Sequence, residues 1–382
     1  MGGFDSYCFI CGSNARVSAS LHQPFQKSGA DGIPAEHKLP FFLDDQDDAF
    51  AQDLVSIGPY DEQNNPIIDA FAVRPGTAEA ARLDAIDSQT IRLVDGLGPG
   101  QFHDMGGLGY ANDDDAGNFT IHPAVYPFGH ALCFRLLGTF APRLMNPVGT
   151  FWAVVRAQNG NKWTASNIEG LNYGDITGSM EQFVAPLHNY EYGPDGYEPW
   201  TLPPKLDTAL RKDTVDPDVI SDYWLGAGKI YVFKRPDLFP VAEAYQDNEK
   251  LYTRDAGALA TSQPGPALPD LPLELLLAIA RPLLIQDALK LLRLNYALRA
   301  KLLPHIDALA KQQLEPWAFA ADFEKAAQWD ALCADNAVRN DAKFPWFAYA
   351  RACQRSPSMQ NRRRIYGICL QLETMAKNHS II

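Results

Sequence analysis

Residues 268–306 read LPDLPLELLLAIARPLLIQDALKLLRLNYALRAKLLPHI, and this stretch decides how the chain divides. Pro272 opens a helix where its missing N–H costs nothing, and Leu273, Leu276, Leu277 and Ala280 follow at i, i+3, i+4 and i+7, the spacing of one apolar helical face. A second helix is expected after Pro282, with Leu284, Ala288, Leu291 and Leu292 on its buried side. A third begins at Tyr296 with Leu298 and Leu302, breaks at Pro304, and resumes with Ile306 and Leu309. Three short helices on one hydrophobic seam are therefore expected. Leu273, Leu275, Leu276 and Leu277 point to more than one side, and so small a core cannot enclose them all. One face should meet either a partner or the helices of residues 313–372.

Immediately upstream, Ala256 to Asp270 (AGALATSQPGPALPD) concentrates Pro, Gly and Ser, the composition of a linker. The chain has 382 residues, more than the roughly 250 to 300 at which one core stops growing. The expected organisation is an acidic α+β domain over 1–255, a linker over 256–267, the helical segment 268–312, and a C-terminal helical extension over 313–382. In the first domain, Thr77 to Asp87 (TAEAARLDAID) reads as a helix and Gln89 to Val94 (QTIRLV) as a strand that Asp95-Gly96 turns. Gly149 to Arg156 (GTFWAVVR), rich in β-branched and aromatic residues, reads as a strand, with Asn159-Gly160 as a hairpin turn after it. Gly228 to Lys234 (GKIYVFK) reads as another strand, and segments such as His188 to Pro199 read as ordered loops. The fold class is α+β: an irregular mixed N-terminal domain with short antiparallel strands, followed by an all-α C-terminal region.

The formal charge of −13 is unevenly spread. Residues 1–280 hold 18 Lys and Arg against 37 Asp and Glu, whereas residues 281–382 hold 15 against 9. An acidic front half repels nucleic acid, so none is expected as a partner. The basic end is expected to dock on the acidic domain, and the run Arg362-Arg363-Arg364 to be a solvated face or part of that dock. No apolar stretch reaches the ~18 residues of a membrane span, and MGGFDSYCFICG lacks the pattern of a secretory signal. A soluble protein of the cytoplasm, the nucleus or both is the expectation, with its six cysteines serving as metal ligands or core rather than as a disulfide framework.

Cys8-Phe9-Ile10-Cys11-Gly12 has the form of a zinc knuckle, whose turn points two thiolates at one metal while the glycine permits the tight backbone. A tetrahedral structural site needs four ligands, and the comparable pair is His130-Ala131-Leu132-Cys133, with His122 in reserve. Cys8, Cys11, His130 and Cys133 would leave no position open for water, so a zinc ion there would be structural. Paired core thiols and a redox Cys-x-x-Cys remain open at this point, although the βαβ context of the redox motif is absent. Cys333, Cys353 and Cys369 lie in apolar helical settings and read as core.

Signs of catalysis are missing. The glycine-rich Asp95 to Tyr110 lacks the spacing and the following helix of a phosphate cradle, and Asn112-Asp113-Asp114-Asp115 lacks the spacing of a calcium loop. There is no G-x-S-x-G elbow and no H-E-x-x-H helix. A protein without enzymatic activity is the expectation.

The stretch 268–306 resembles the F-box motif. Leu271, Pro272, Leu273, Glu274, Leu275, Leu276, Leu277 and Ile279 match its first helix, Asp287, Ala288, Leu289 and Leu292 its second, and Arg299 its third, where Tyr296 stands for the usual aromatic. Phe344-Pro345-Trp346, Tyr349-Ala350-Arg351, Ser358 to Ile365, the Cys-x-x-Cys-Gly start and His130-x-x-Cys133 resemble the overall plan of fungal F-box proteins across nearly the whole chain. The resemblance implies docking on a Skp-family adaptor of a cullin-RING ubiquitin ligase through Leu271, Pro272, Leu273, Leu276, Leu277, Ile279 and Leu292, with a separate domain capturing a protein substrate. The competing class is a zinc-stabilised ligand-binding or enzymatic N-terminal domain whose helical tail is purely structural. Exposure or enclosure of the leucines at 273–277 separates the two.

Overall fold

Leu54 to Pro59 (LVSIGP) is a short, nearly continuous apolar run, and it forms a strand, β1, with all six residues buried. The computed structural model describes residues 8–13, 50, 53–68, 76–94, 110–113, 118–121, 126–160, 168–174, 230–253, 268–283, 285–294, 296–340 and 343–382. Two compact units emerge: Met1–Pro236 together with Asn361–Ile382, and Asp237–Gln360.

In the first unit β1 is the centre of a three-stranded antiparallel sheet, flanked by β2 (Ile91–Val94) and later by β5 (Phe128–His130). The register pairs Ser56 with Val94 and Leu54 with His130. β3 (Tyr110–Asp113) and β4 (Asn118–Ile121) make a separate antiparallel pair. Between β1 and β2 lies helix α1 (Ala78–Asp84), whose first turn is capped by the Thr77 hydroxyl accepting from the Ala80 N–H at 3.2 Å. Both the helix and the strand expected over 77–94 are therefore present. After β5 come α2 (Ala131–Phe140), α3 (Pro142–Met145) and α4 (Gly149–Asn159).

Two expected strands are not strands. Gly149 to Arg156 lies in helix α4, where Phe151, Trp152, Val154 and Val155 are buried. Their intrinsic β preference is weaker than the gain from burying four large side chains on one helix, about 1.5–3 kcal/mol each. Asn159-Gly160 is accordingly a helix stop: Gly160 adopts φ +57 and its N–H returns to the Arg156 carbonyl at 2.9 Å. A hairpin turn and a helix terminus both call for glycine at positive φ, so the dipeptide alone does not distinguish them. Ile230–Phe233, expected in a strand, is a short 3₁₀ helix, with Val232 buried.

The second unit is helical. It holds α5 (Val241–Thr253), α6 (Leu273–Ala280), α7 (Ile285–Leu294), α8 (Tyr296–Leu302), α9 (Ile306–Gln313), α10 (Asp330–Asn340) and α11 (Trp346–Arg355). The final helix, α12 (Pro357–Asn378), starts there and from Asn361 belongs to the first unit. Pro304 breaks the chain as expected, inside the 3₁₀ turn Leu303–His305. Leu276, Ala280, Leu292, Leu298, Leu302, Ile306, Leu309 and Ala310 join Phe347 and Ala350 of α11 in one core. Helix α11 lacks a capping side chain of its own after Pro345, and Asp307 of α9 supplies it, accepting the Phe347 N–H at 2.8 Å. The proline-rich linker 256–267, the loop His188 to Pro199 and most of the glycine-rich run before Tyr110 lie outside the described residues. No helix among the described residues is long and apolar enough to cross a membrane.

Candidate metal centre

Residues 8–13 are buried throughout and form a tight turn. The Gly12 N–H donates to the Cys8 carbonyl at 2.7 Å, the Cys8 N–H to the Ser13 carbonyl at 2.8 Å, and the Cys11 N–H faces the Cys8 sulfur at 3.4 Å. Closing this turn puts Gly12 at φ +73, a conformation that a Cβ would strain. The Phe9 N–H donates to the Phe128 carbonyl at 2.9 Å and so ties the turn to β5. That strand ends at His130, which is also the N-cap of α2, and Cys133 follows in the first helical turn. Strand end and helix start thus present the imidazole and the second pair's thiol to the same point.

Cys8, Cys11, His130 and Cys133 are all buried, and their ligand atoms lie within 4.8 Å of one another. His130 Nδ1 is 3.4 Å from Cys11 Sγ and 3.8 Å from Cys133 Sγ. A tetrahedron with metal–sulfur bonds of about 2.3 Å has edges of about 3.8 Å, so these separations fit one central ion. His130 Nε2 is buried without a hydrogen-bond partner, while its ring stands 4.5 Å from that of Phe50. With the proton on Nε2, the Nδ1 lone pair faces the sulfurs as a ligand. The cluster is positioned to hold a metal ion such as zinc. His122, the reserve ligand, lies outside the described residues.

Electrostatics set the same groups apart from ordinary core thiols. Burial pushes Cys11 up, but hydrogen bonds from Cys133 and Cys8 and the charge of His130 hold it well below the usual thiol value. Burial pushes His130 down, and the thiolate charges of Cys8 and Cys11 more than reverse this, bringing it up to about 10. Cys133 is raised by burial and by the neighbouring sulfurs. Metal-free, the cluster pairs a thiolate with an imidazolium; a cation takes the place of the shared protons. Cys353 and Cys369 are buried, as expected of core thiols, and Cys333 is partly exposed.

A supporting layer was not legible in the sequence. Tyr173 packs its ring on Gly12 and donates its hydroxyl to the Phe9 carbonyl at 2.8 Å, while accepting the Ile168 N–H at 2.9 Å. Burial pushes its hydroxyl far up and keeps it protonated as a donor. From α12, the Arg364 guanidinium donates to the Cys11 carbonyl. Arg362 is fully buried and donates to the Pro236 carbonyl at 3.2 Å, with its guanidinium over Phe140. The arginine run is thus neither a solvated face nor, in these two bonds, a charge-on-charge dock, because both acceptors are backbone carbonyls.

The residues of the F-box-like stretch fall elsewhere, in the second unit. Leu276 and Leu292 are core, Leu271 and Leu277 pack partly buried against it, and Leu273 is half-buried. Pro272 is exposed, as are Leu275 at 51% and Ile279 at 39%. No family model matches the chain, and comparison with curated proteins and with solved structures finds no match either.

Proposed function

We propose that the chain is a non-enzymatic docking protein, with a structural zinc ion on Cys8, Cys11, His130 and Cys133 and an F-box-like segment at 268–312 that engages a Skp-family adaptor. In this reading a protein substrate is presented to a cullin-RING ubiquitin ligase. Zinc suits three thiolates and one imidazole at tetrahedral spacing, and four protein ligands leave no position for a reacting water. Its role is then to hold together two segments far apart in the chain, Cys11 and His130 being 119 residues from each other, in a domain with little sheet.

One observation carries the docking reading. Helix α6 buries Leu276 and Ala280 but leaves Leu275 and Ile279, one helical turn apart, on the surface. Two large apolar side chains on one exposed ridge are a contact surface. The burial of Leu276 and Leu292 favours the alternative, a helical tail that only packs on itself.

The deciding experiment is a pull-down of purified Skp-family adaptor with the intact chain and with a Leu275→Asp, Ile279→Asp variant, which spares the core. Capture by the intact chain and its loss in the variant is the expected result. No capture by the intact, folded chain would reject docking and leave the structural-tail reading.

A further inference from the structure

Zinc bound by three thiolates and a neutral imidazole carries one net negative charge, and here the ligands are completely buried. An uncompensated buried charge is expensive, so something nearby should offset it. Arg364 meets that need. Its guanidinium donates through Nη1 to the carbonyl of Cys11, one of the four ligands, and it is partly buried there.

The side chain is held in place. Arg364 Nε and Nη2 both donate to Asn361 Oδ1, at 3.2 and 2.9 Å. Asn361 is fully buried, and its own Nδ2 donates to the carbonyls of Val232 and Lys234 at 3.1 and 2.7 Å. The guanidinium is therefore fixed by a side chain that is itself fixed, rather than being a mobile surface charge. An asparagine one helical turn before an arginine has no need of burial unless the arginine must be aimed.

We infer that Arg364, oriented by Asn361, is a positioning residue of the metal centre: it offsets the net negative charge of the loaded site and holds the Cys11 backbone to α12. The inference rests on the zinc reading. It adds that the last helix of the chain is part of the centre, so metal affinity depends on a cation 353 residues away from the ligand it contacts.

Zinc affinity measured by competition with a chromophoric chelator, on the full chain, tests this. Arg364→Gln and Arg364→Met should each weaken binding about 10- to 100-fold, the usual effect of removing an outer-shell partner. Arg364→Lys keeps the charge and should stay within about fivefold of wild type. A purely structural role would lower the unfolding midpoint equally with zinc and with chelator present, whereas charge compensation lowers chiefly the zinc-loaded midpoint. Wild-type affinity in Arg364→Gln, or equal losses in the Gln, Met and Lys variants, would overturn the inference while leaving the site intact. A wild-type chain that takes up no zinc would instead reject the underlying reading.

Discussion

Replacing Gly12 by alanine tests the packing of the knuckle. At φ +73 an alanine costs about 1–2 kcal/mol from backbone sterics alone. Its Cβ would also lie 2.7 Å from Tyr173 Cδ1, 3.0 Å from Cγ and 3.3 Å from Cβ. The ring cannot swing aside freely, because its hydroxyl is anchored to Phe9 and Ile168. Overpacking of this kind adds about 1–3 kcal/mol, for a total of about 2–5 kcal/mol. Gly76 is the internal control, with φ +84 and nothing within 4 Å of an added Cβ, so Gly76→Ala should cost only the backbone share of about 1–2 kcal/mol. Equilibrium urea unfolding of the zinc-loaded variants gives both values from midpoint and slope. A Gly12→Ala loss no larger than that of Gly76→Ala would refute the contact between Tyr173 and the knuckle.

Gly149→Ala should destabilise although alanine is the better helix former by about 1 kcal/mol, because the new Cβ would meet the Ser88 carbonyl oxygen at 2.6 Å; a raised thermal midpoint would contradict this. Leu309→Ala should cost about 2–5 kcal/mol and Leu275→Ala no more than about 0.5, since one is core and the other surface, as urea titration would report. Burial raises the Asp307 carboxyl, against the hydrogen bond from Phe347. The folded state then holds that proton more tightly than the unfolded one, so its contribution to stability is full below the ordinary aspartate value of about 4 and is lost as pH rises through the folded value. Asp307→Asn keeps an oxygen for the Phe347 N–H but does not ionise, and thermal midpoints across this window should flatten; an unchanged slope would count against the assignment.

The helical end of the chain was legible because its spacing and its prolines agree. Leu276, Ala280, Leu298, Leu302, Ile306 and Leu309 fall on the buried faces that i, i+3, i+4 periodicity marks, and Pro304 interrupts them where expected. GTFWAVVR misled because residue preference pointed to strand while burial in the folded unit selected helix. β1 was not legible because LVSIGP is short and lacks alternation, as a strand buried on both faces does. The metal cluster was legible as two ligand pairs separated by two residues each. Tyr173 and Arg364 were not, because neither has a local pattern tying it to residues 9 and 11; only the folded chain brings a tyrosine hydroxyl and a guanidinium to those carbonyls.

The central claim is most directly tested by the metal content of the intact chain, purified without chelator and measured by mass spectrometry alongside Cys11→Ser. One equivalent of zinc in the wild type, with most of it lost and folding weakened in the variant, is the predicted result. Less than about half an equivalent in folded wild-type protein, or a Cys11→Ser chain that folds as stably as the parent, would contradict it.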